Sequence, residues 1–206
     1  MKKTFFFVLA TLLMAHQASA AEHAVINNVV GEPMIVRGDK TIPAINGMPC
    51  QTGDVLKTPT AGCQFDVAVN GLAGCRVLSN SECVIINGAK SNMKIQIKNG
   101  NAILNLKKLP ENSSFQVETP TAIAAVRGTQ FWGRVDASNL NNPVTTFAVR
   151  EGFVNVFVKS AGKTFSLRKG QALDIPKDTS AVPLIRPALE DEMKTMEQAA
   201  SIQTSA

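Results

Sequence analysis

The sequence predicts an all-β fold, and three of its features support this prediction. Short apolar or alternating runs follow one another from residue 25 to residue 175. Glycine turns separate the runs, and several are Asn-Gly pairs, which supply the positive φ angles of tight reversals. Met93, Ile95 and Ile97 alternate with polar residues, so that one side of this strand packs and the other faces water. These features are typical of a sandwich, a barrel or a solenoid.

The strands follow from this pattern in chain order. They are predicted at residues 25–30, 34–37, 55–58, 63–69, 75–78, 84–87, 93–98, 102–106, 114–118, 123–126, 129–135, 145–149, 153–159, 164–167 and 172–175. The predicted turns are Asn46-Gly47, Asn70-Gly71, Asn87-Gly88, Asn99-Gly100, Glu151-Gly152, Ala161-Gly162 and Lys169-Gly170.

The N-terminus has the features of a secretory leader. Lys2 and Lys3 precede an apolar run at residues 5–15, and Ala18-Ser19-Ala20 supplies the small residues that a signal peptidase needs. The run is about half the roughly 20 residues that span a bilayer, so an uncleaved anchor is the weaker alternative. We expect residues 1–20 to be a signal peptide and the mature chain to be exported without a membrane anchor.

Composition excludes several classes of function. Without Lys2 and Lys3 the chain has 19 basic and 16 acidic residues, a net charge of +3, and the basic residues are spread out. Nucleic-acid binding usually needs a concentrated basic surface, so we expect none. The two histidines, His16 and His23, lie in the leader and at the predicted mature N-terminus. Histidine-dependent catalysis and histidine metal sites are therefore not expected in the folded body.

The four cysteines are Cys50, Cys63, Cys75 and Cys83. In an exported protein an even number predicts two disulfides, although three pairings are possible. Cys75 and Cys83 flank a predicted hairpin turn, which would leave Cys50 to pair with Cys63. A zinc site is the alternative, but the gaps of 12, 11 and 7 residues differ from the short spacings of zinc knuckles.

Residues 188–200 predict a short amphipathic helix after the β region. Leu189, Met193, Met196 and Ala200 recur at helical spacing, and acidic residues occupy the first turn. The helix could dock on the end of the β fold, where it would hide a sheet edge, or be presented to a partner. We expect residues 201–206 to be disordered.

Several segments of the chain resemble the FecR domain. They lie between about Val29 and Ile175 and are VGEP at 30–33, VRG at 36–38, GDVLKT at 53–58, VETPTA at 117–122, VRGTQF at 126–131, VREGFV at 149–154 and LRKGQ at 167–171. The resemblance implies a periplasmic, β-solenoid-like FecR domain at residues 25–176, followed by a tail at residues 177–206 that carries the short helix. Better-known members of the family also have a sigma-regulating cytoplasmic segment and a membrane helix, which this sequence does not show.

The signature residues of the resemblance are interpreted as structural. Gly53, Gly128 and Gly152 would allow positive φ angles or close strand packing. Asp54 and Thr129 would bond to nearby backbone, and Arg127 would cap a turn or form an ion pair.

Trp132 is the candidate for contact with a partner. If Phe131 is buried, strict alternation places Gln130, Trp132 and Arg134 on the other face of the strand. Exposed tryptophan and arginine are enriched at binding hot spots. The alternative is that the chain's own tail covers Trp132.

These observations predict a non-enzymatic periplasmic module that binds a protein partner of the envelope or responds to a ligand. The alternatives are a structural subunit of an envelope assembly and a polysaccharide-acting β-solenoid enzyme. Carboxylates are scattered singly, so no catalytic residue, metal site or cofactor is expected.

Overall fold

The computed structural model describes residues 24–69, 71–88, 91–178 and 182–204. The predicted signal peptide and both histidines lie outside these ranges, as do Asn70 and residues 205–206.

Seventeen strands, one α-helix and one 3₁₀-helix form the described part of the chain. The strands are β1 Ala24–Val30, β2 Met34–Arg37, β3 Lys40–Pro43, β4 Pro49–Cys50, β5 Val55–Thr58, β6 Gln64–Val69, β7 Ala73–Val77, β8 Ser81–Gly88, β9 Asn92–Leu106, β10 Ser114–Glu118, β11 Ala122–Val126, β12 Gln130–Asp136, β13 Val144–Glu151, β14 Phe153–Val158, β15 Lys163–Arg168, β16 Gln171–Pro176 and β17 Ile185–Pro187. The helix α1 is Glu190–Met196, and the 3₁₀-helix Glu197–Ser201 follows it directly.

The strands form two facing layers that share β9. The first sheet has the order β4, β1, β6, β7, β9, β12, β13, β16, β17. The second has the order β3, β2, β5, β8, β9, β10, β11, β14, β15. Consecutive hairpins alternate between the two sheets. From β5 onward, each sheet therefore gains strands in the order in which they occur in the chain.

The long strand β9 joins the layers at Asn99 and Gly100, where a turn was predicted. Residues before this point pair with β8 and β10, and residues after it pair with β7 and β12. Gly100 has a φ of 83°, and a Cβ there would lie 2.5 Å from the Cα of Ser81. The Asn-Gly pair is therefore not a turn but the point at which one strand crosses from the second sheet to the first. Only glycine fits the close contact there.

The core lies between the layers and consists of the inward residues of both. Met93, Ile95 and Ile97 are buried, as the alternation of this strand predicted. Phe131 of the first sheet packs against Phe147, with ring centroids 6.3 Å apart. Both rings are fully buried, so each contributes the area of a large aromatic side chain to the core.

The all-β prediction and the short C-terminal helix are confirmed, but a solenoid is not. A coiled solenoid stacks its rungs as parallel strands, whereas the pairings here are antiparallel except between β9 and β10. The fold is instead a two-layer arrangement of hairpins, one of the architectures that the strand pattern left open.

The predicted disulfides are not formed, and all four cysteines are buried thiols. Cys75 pairs with Val67 in the first sheet, whereas Cys83 pairs with Leu56 in the second. Facing sheets lie about 10 Å apart, beyond the roughly 4.4–6.8 Å between Cα atoms that a disulfide spans. Burial raises the pKa of both thiols, that of Cys83 to about 12, so both stay protonated at neutral pH.

Cys50 and Cys63 are separated along β1. Cys50 lies opposite Ala24 at the start of this strand, whereas Cys63 lies against Gly31, just past its end. A seven-residue strand is roughly 20 Å long, so the second predicted pairing is wrong for geometric reasons as well.

We predict that Gly152→Ala destabilises the fold more than Gly162→Ala does. Both glycines have positive φ angles, 79° and 61°, so each substitution costs roughly 1–2 kcal/mol of backbone strain. At Gly152 the new Cβ would also lie 2.7 Å from the carbonyl oxygen of Gly128, whereas nothing lies within 4 Å at Gly162. Overpacking adds about 1–3 kcal/mol at Gly152. Urea unfolding measures both losses, and equal losses would contradict the close contact.

Candidate functional site

Trp132 lies on the outer face of the first sheet, opposite the core side of β12. Phe131 and Val135 point into the core, while Trp132 and Arg134 point outward, as the alternation predicted. Trp132 is nevertheless only 6% exposed. Of the two alternatives that the sequence left open for Trp132, contact with a partner and cover by the chain's own tail, the structure has the second.

The cover is the C-terminal segment, comprising α1 and residues 197–204, which we call the C-terminal cover. It buries Met196, Ala199 and Ile202 against an apolar patch of the first sheet made of Ile103, Trp132, Ala148 and Ala172. The prediction that the helix docks within the molecule is confirmed. It docks on a sheet face, however, and not at the end of the β fold.

The apolar side of the C-terminal cover differs from the predicted stripe. Met196 is buried and Met193 is half-buried, but Leu189 is 59% exposed, and Ala199 is buried in place of Ala200. The 3₁₀-helix explains the shift. With three residues per turn, the residue below Met196 on the buried side is three positions later, at Ala199, and not four positions later, at Ala200. Ile202 and Thr204 are also buried, so the predicted disorder of residues 201–204 is wrong.

Arg186 fastens the C-terminal cover to the first sheet. Its Nε and Nη2 donate to Asp174 of β16 at 2.6 and 2.9 Å. Its Nη1 and Nη2 donate to Glu192 of α1 at 2.9 and 2.7 Å. Hydrogen bonds from Arg186 hold the pKa of Asp174 below its usual range, and those with Glu192 and Asp174 raise the pKa of Arg186.

A second ion pair lies beneath the C-terminal cover. Arg76 and Asp66 face each other on β7 and β6, and two hydrogen bonds of 2.7 and 2.8 Å join them. Both side chains are at most 5% exposed. Arg76 also donates to the hydroxyl of Ser201 at 3.1 Å, so the cover satisfies a charge that it buries.

A cleft of about 600 Å³ remains between α1 and the first sheet, with Trp132 and Arg134 among its lining residues. The indole Nε1 of Trp132 has no hydrogen-bond partner in the described part of the chain. Arg134 is half exposed and pairs with Asp136 at 3.4 Å. Gln130 is half-buried and accepts a hydrogen bond of 2.7 Å from Arg150. The three residues proposed for partner contact are thus partly engaged within the molecule.

The FecR-like signature residues lie at strand ends and turns. Gly53, Gly128 and Gly152 have φ angles of 94°, 70° and 79°. Thr129 donates to the carbonyl of Phe153 at 2.8 Å, which ties the start of β12 to β14. Arg127 is exposed and its Nε donates to the carbonyl of Leu109 at 3.3 Å.

Asp54 is the acidic residue among these signature residues, and its carboxylate is buried. It receives hydrogen bonds of 2.8 and 2.7 Å from Arg37 and one of 2.8 Å from the backbone of Gln51. Because Asp54 is only 1% exposed, its charge depends on these donors. The Gly-Asp turn therefore holds the end of β2 against the start of β5.

The outer face of the second sheet presents residues that the sequence analysis did not single out. Phe153 and Phe157 are 51% and 40% exposed, while Val154, Val156 and Val158 of the same strand point into the core. The alternation of this strand gave the signal, since Asn155 lies on the phenylalanine side. Because both faces of β14 carry apolar residues, the sequence did not show which face packs into the core.

No group of residues within the described ranges could hold a metal ion. In the same part of the chain, no helix is long and apolar enough to cross a membrane.

The fold and these surfaces define a two-layer β module with one outer face covered by its own C-terminus and the other open. Residues 54–155 match the family described as FecR protein. The chain therefore contains a FecR domain, and β1 to β4, the end of β14, β15 to β17 and the C-terminal cover lie outside the matched residues.

Solved structures share the fold. Two crystal structures, at 2.50 and 1.65 Å resolution, are of a candidate anti-sigma factor from Parabacteroides distasonis ATCC 8503. Each is 16% identical to this chain, with a TM-score of 0.55 over 68% of this chain and 62% of the other. The match thus spans less than two thirds of that protein. No curated protein matches the chain.

We predict that Asp174→Asn lowers stability at neutral pH but not in acid. Because the folded pKa of Asp174 lies below its unfolded value of about 3.9, its stabilisation is present above that value and is lost as the pH falls through the folded pKa. The pair is partly exposed, so the loss at pH 7 should be at most about 1 kcal/mol.

Urea unfolding at pH 7 and at pH values well below 4 measures this difference. Asp39→Asn is the matched control, because Asp39 is exposed in a turn, and it should change stability little at either pH. A loss of the same size in acid and at neutral pH would contradict the role of the charge.

Proposed function

We propose that this chain is a non-enzymatic binding module of the regulator type that acts in the periplasm by contact with a protein partner of the envelope. The FecR domain at residues 54–155 is the observation that carries the proposal. The structural relative described as a candidate anti-sigma factor supports a regulatory role.

Export is supported by the leader-like N-terminus. Lys2, Lys3 and the apolar run at residues 5–15 have the arrangement of a signal peptide.

The nature of the surfaces supports binding and not chemistry. The buried carboxylates of Asp54 and Asp66 are each paired with an arginine inside the fold. Acid–base catalysis needs a carboxyl group that can exchange a proton with a substrate. The exposed Phe153, Phe157 and Arg168 of the second sheet are instead of the residue types that protein interfaces favour.

Fractionation of cells that produce the full chain tests the location. We predict a periplasmic protein whose mass corresponds to a chain that begins at Ala21, and retention in the cytoplasm when an aspartate is placed in the apolar run at residues 5–15. A cytoplasmic protein with an intact N-terminus would contradict the periplasmic role.

Cross-linking in cells, followed by mass spectrometry, tests the binding role. A reproducible complex with one envelope protein is expected. Turnover of envelope glycans by the pure protein would contradict the assignment as a non-enzymatic module.

A further inference from the structure

Strand β14 of the second sheet presents two phenylalanines to solvent, which form an aromatic row. Phe153, Asn155 and Phe157 point outward from β14, and the two phenylalanines are 51% and 40% exposed. Ile123 on β11 lies opposite Phe157 and is half-buried, so it extends the apolar surface by one strand. Apolar side chains of this size on a sheet face favour a partner that removes them from water.

Two cations lie at one end of this row. Arg168 faces Phe153 across the β14–β15 pair, and Lys169 follows it in the chain. They line a cleft of about 540 Å³ with Gly152, Phe153, Asn155 and Ser166, a set that contains no carboxylate.

The charges at this end are not neutralised within the described residues. Neither Arg168 nor Lys169 forms an ion pair there, whereas lysines elsewhere on the same face pair with Glu82 and Glu118. The surface therefore combines exposed aromatic rings with unneutralised positive charge, which complements a partner with apolar and acidic side chains.

Within the described residues, β15 has a paired strand on one side only, and the backbone N–H of Arg168 at its end already donates to the side chain of Gln171 at 2.8 Å. β15 pairs with β14, and β16 cannot be its second neighbour because it already lies between β13 and β17. An edge strand with its backbone donors and acceptors open to one side can pair with an added strand.

We propose that the edge of β15 and the outer face of β14 bind an extended segment of a protein partner that carries both acidic and apolar side chains on one face. The segment adds a strand to β15, places its apolar side chains beside Phe153 and Phe157, and places its carboxylates near Arg168 and Lys169. This proposal rests on the proposed function, because it requires a protein partner.

A second copy of the chain fits this surface less well. Antiparallel pairing of two β15 strands would bring Lys163 of one copy towards Arg168 of the other. Like charges at both ends of such an interface oppose it.

Site-specific photo-cross-linking in the protein's own cells tests the proposal. A photoreactive phenylalanine replaces Thr164, which is exposed and lies opposite Phe157. The same probe at Leu140, which is 83% exposed in the loop after β12, is the control position. We expect a cross-link at position 164 to one protein, mapped by mass spectrometry to a segment rich in acidic and apolar residues, and none at position 140.

Charge-reversal variants distinguish binding at this surface from an attraction that depends only on the net charge of the protein. Arg168→Glu with Lys169→Glu should reduce the cross-link at position 164 by about tenfold. Lys40→Glu with Lys194→Glu changes the net charge equally at exposed positions on β3 and α1, and should leave the yield unchanged. Equal unfolding midpoints for both double variants would show that the fold is intact.

The outcomes distinguish this proposal from the proposed function. Partner cross-links at position 140 alone, or equal losses in both charge-reversal variants, would overturn the assignment of the surface and leave the binding role intact. A cross-link at position 164 to a second copy would also overturn it. The absence of any cross-linked partner at either position, together with no complex in general cross-linking, would overturn both.

Discussion

The crossing of β9 at Gly100 is the constraint on which both layers depend. This single strand supplies the middle of each sheet, so the hairpins before and after it are placed relative to one another through its path. A side chain at position 100 would collide with the backbone at Asn80 and Ser81, and Ser81 donates its own hydroxyl to the carbonyl of Asn101. The approach is so close that a side chain at position 100 has no room, and the crossing therefore requires glycine.

Much of the layer structure could be predicted from local pattern. The alternation at 93–98 and the Glu151-Gly152 turn determine faces and reversals through chemistry that acts over a few residues. The short strands β3, β4 and β17 were missed because each contains a proline, which is tolerated at a sheet edge but is typical of a break between strands. A turn was predicted at Gly100 because Asn-Gly indicates a positive φ angle. The pair does not show which strands the chain will join after it.

The candidate surfaces were harder to predict because each depends on which segments meet in space. Alternation placed Trp132 on the correct face, but its burial depends on residues more than 60 positions later in the chain. Arg186 was not recognised because Asp174 and Glu192 approach it from different elements. The cysteines were misread because sequence spacing does not show that Cys75 and Cys83 belong to opposite sheets.

The two outer faces differ in exposure. The first sheet is closed by the chain's own C-terminal cover over Trp132, and the second leaves Phe153 and Phe157 exposed in the described part of the chain. Trp132 is the chain's single tryptophan, so its fluorescence reports on the covered face alone. Acrylamide quenching of the full-length protein tests the central claim most directly: the account predicts a blue-shifted emission that acrylamide quenches far less than free indole, and emission and quenching like those of free indole would contradict it.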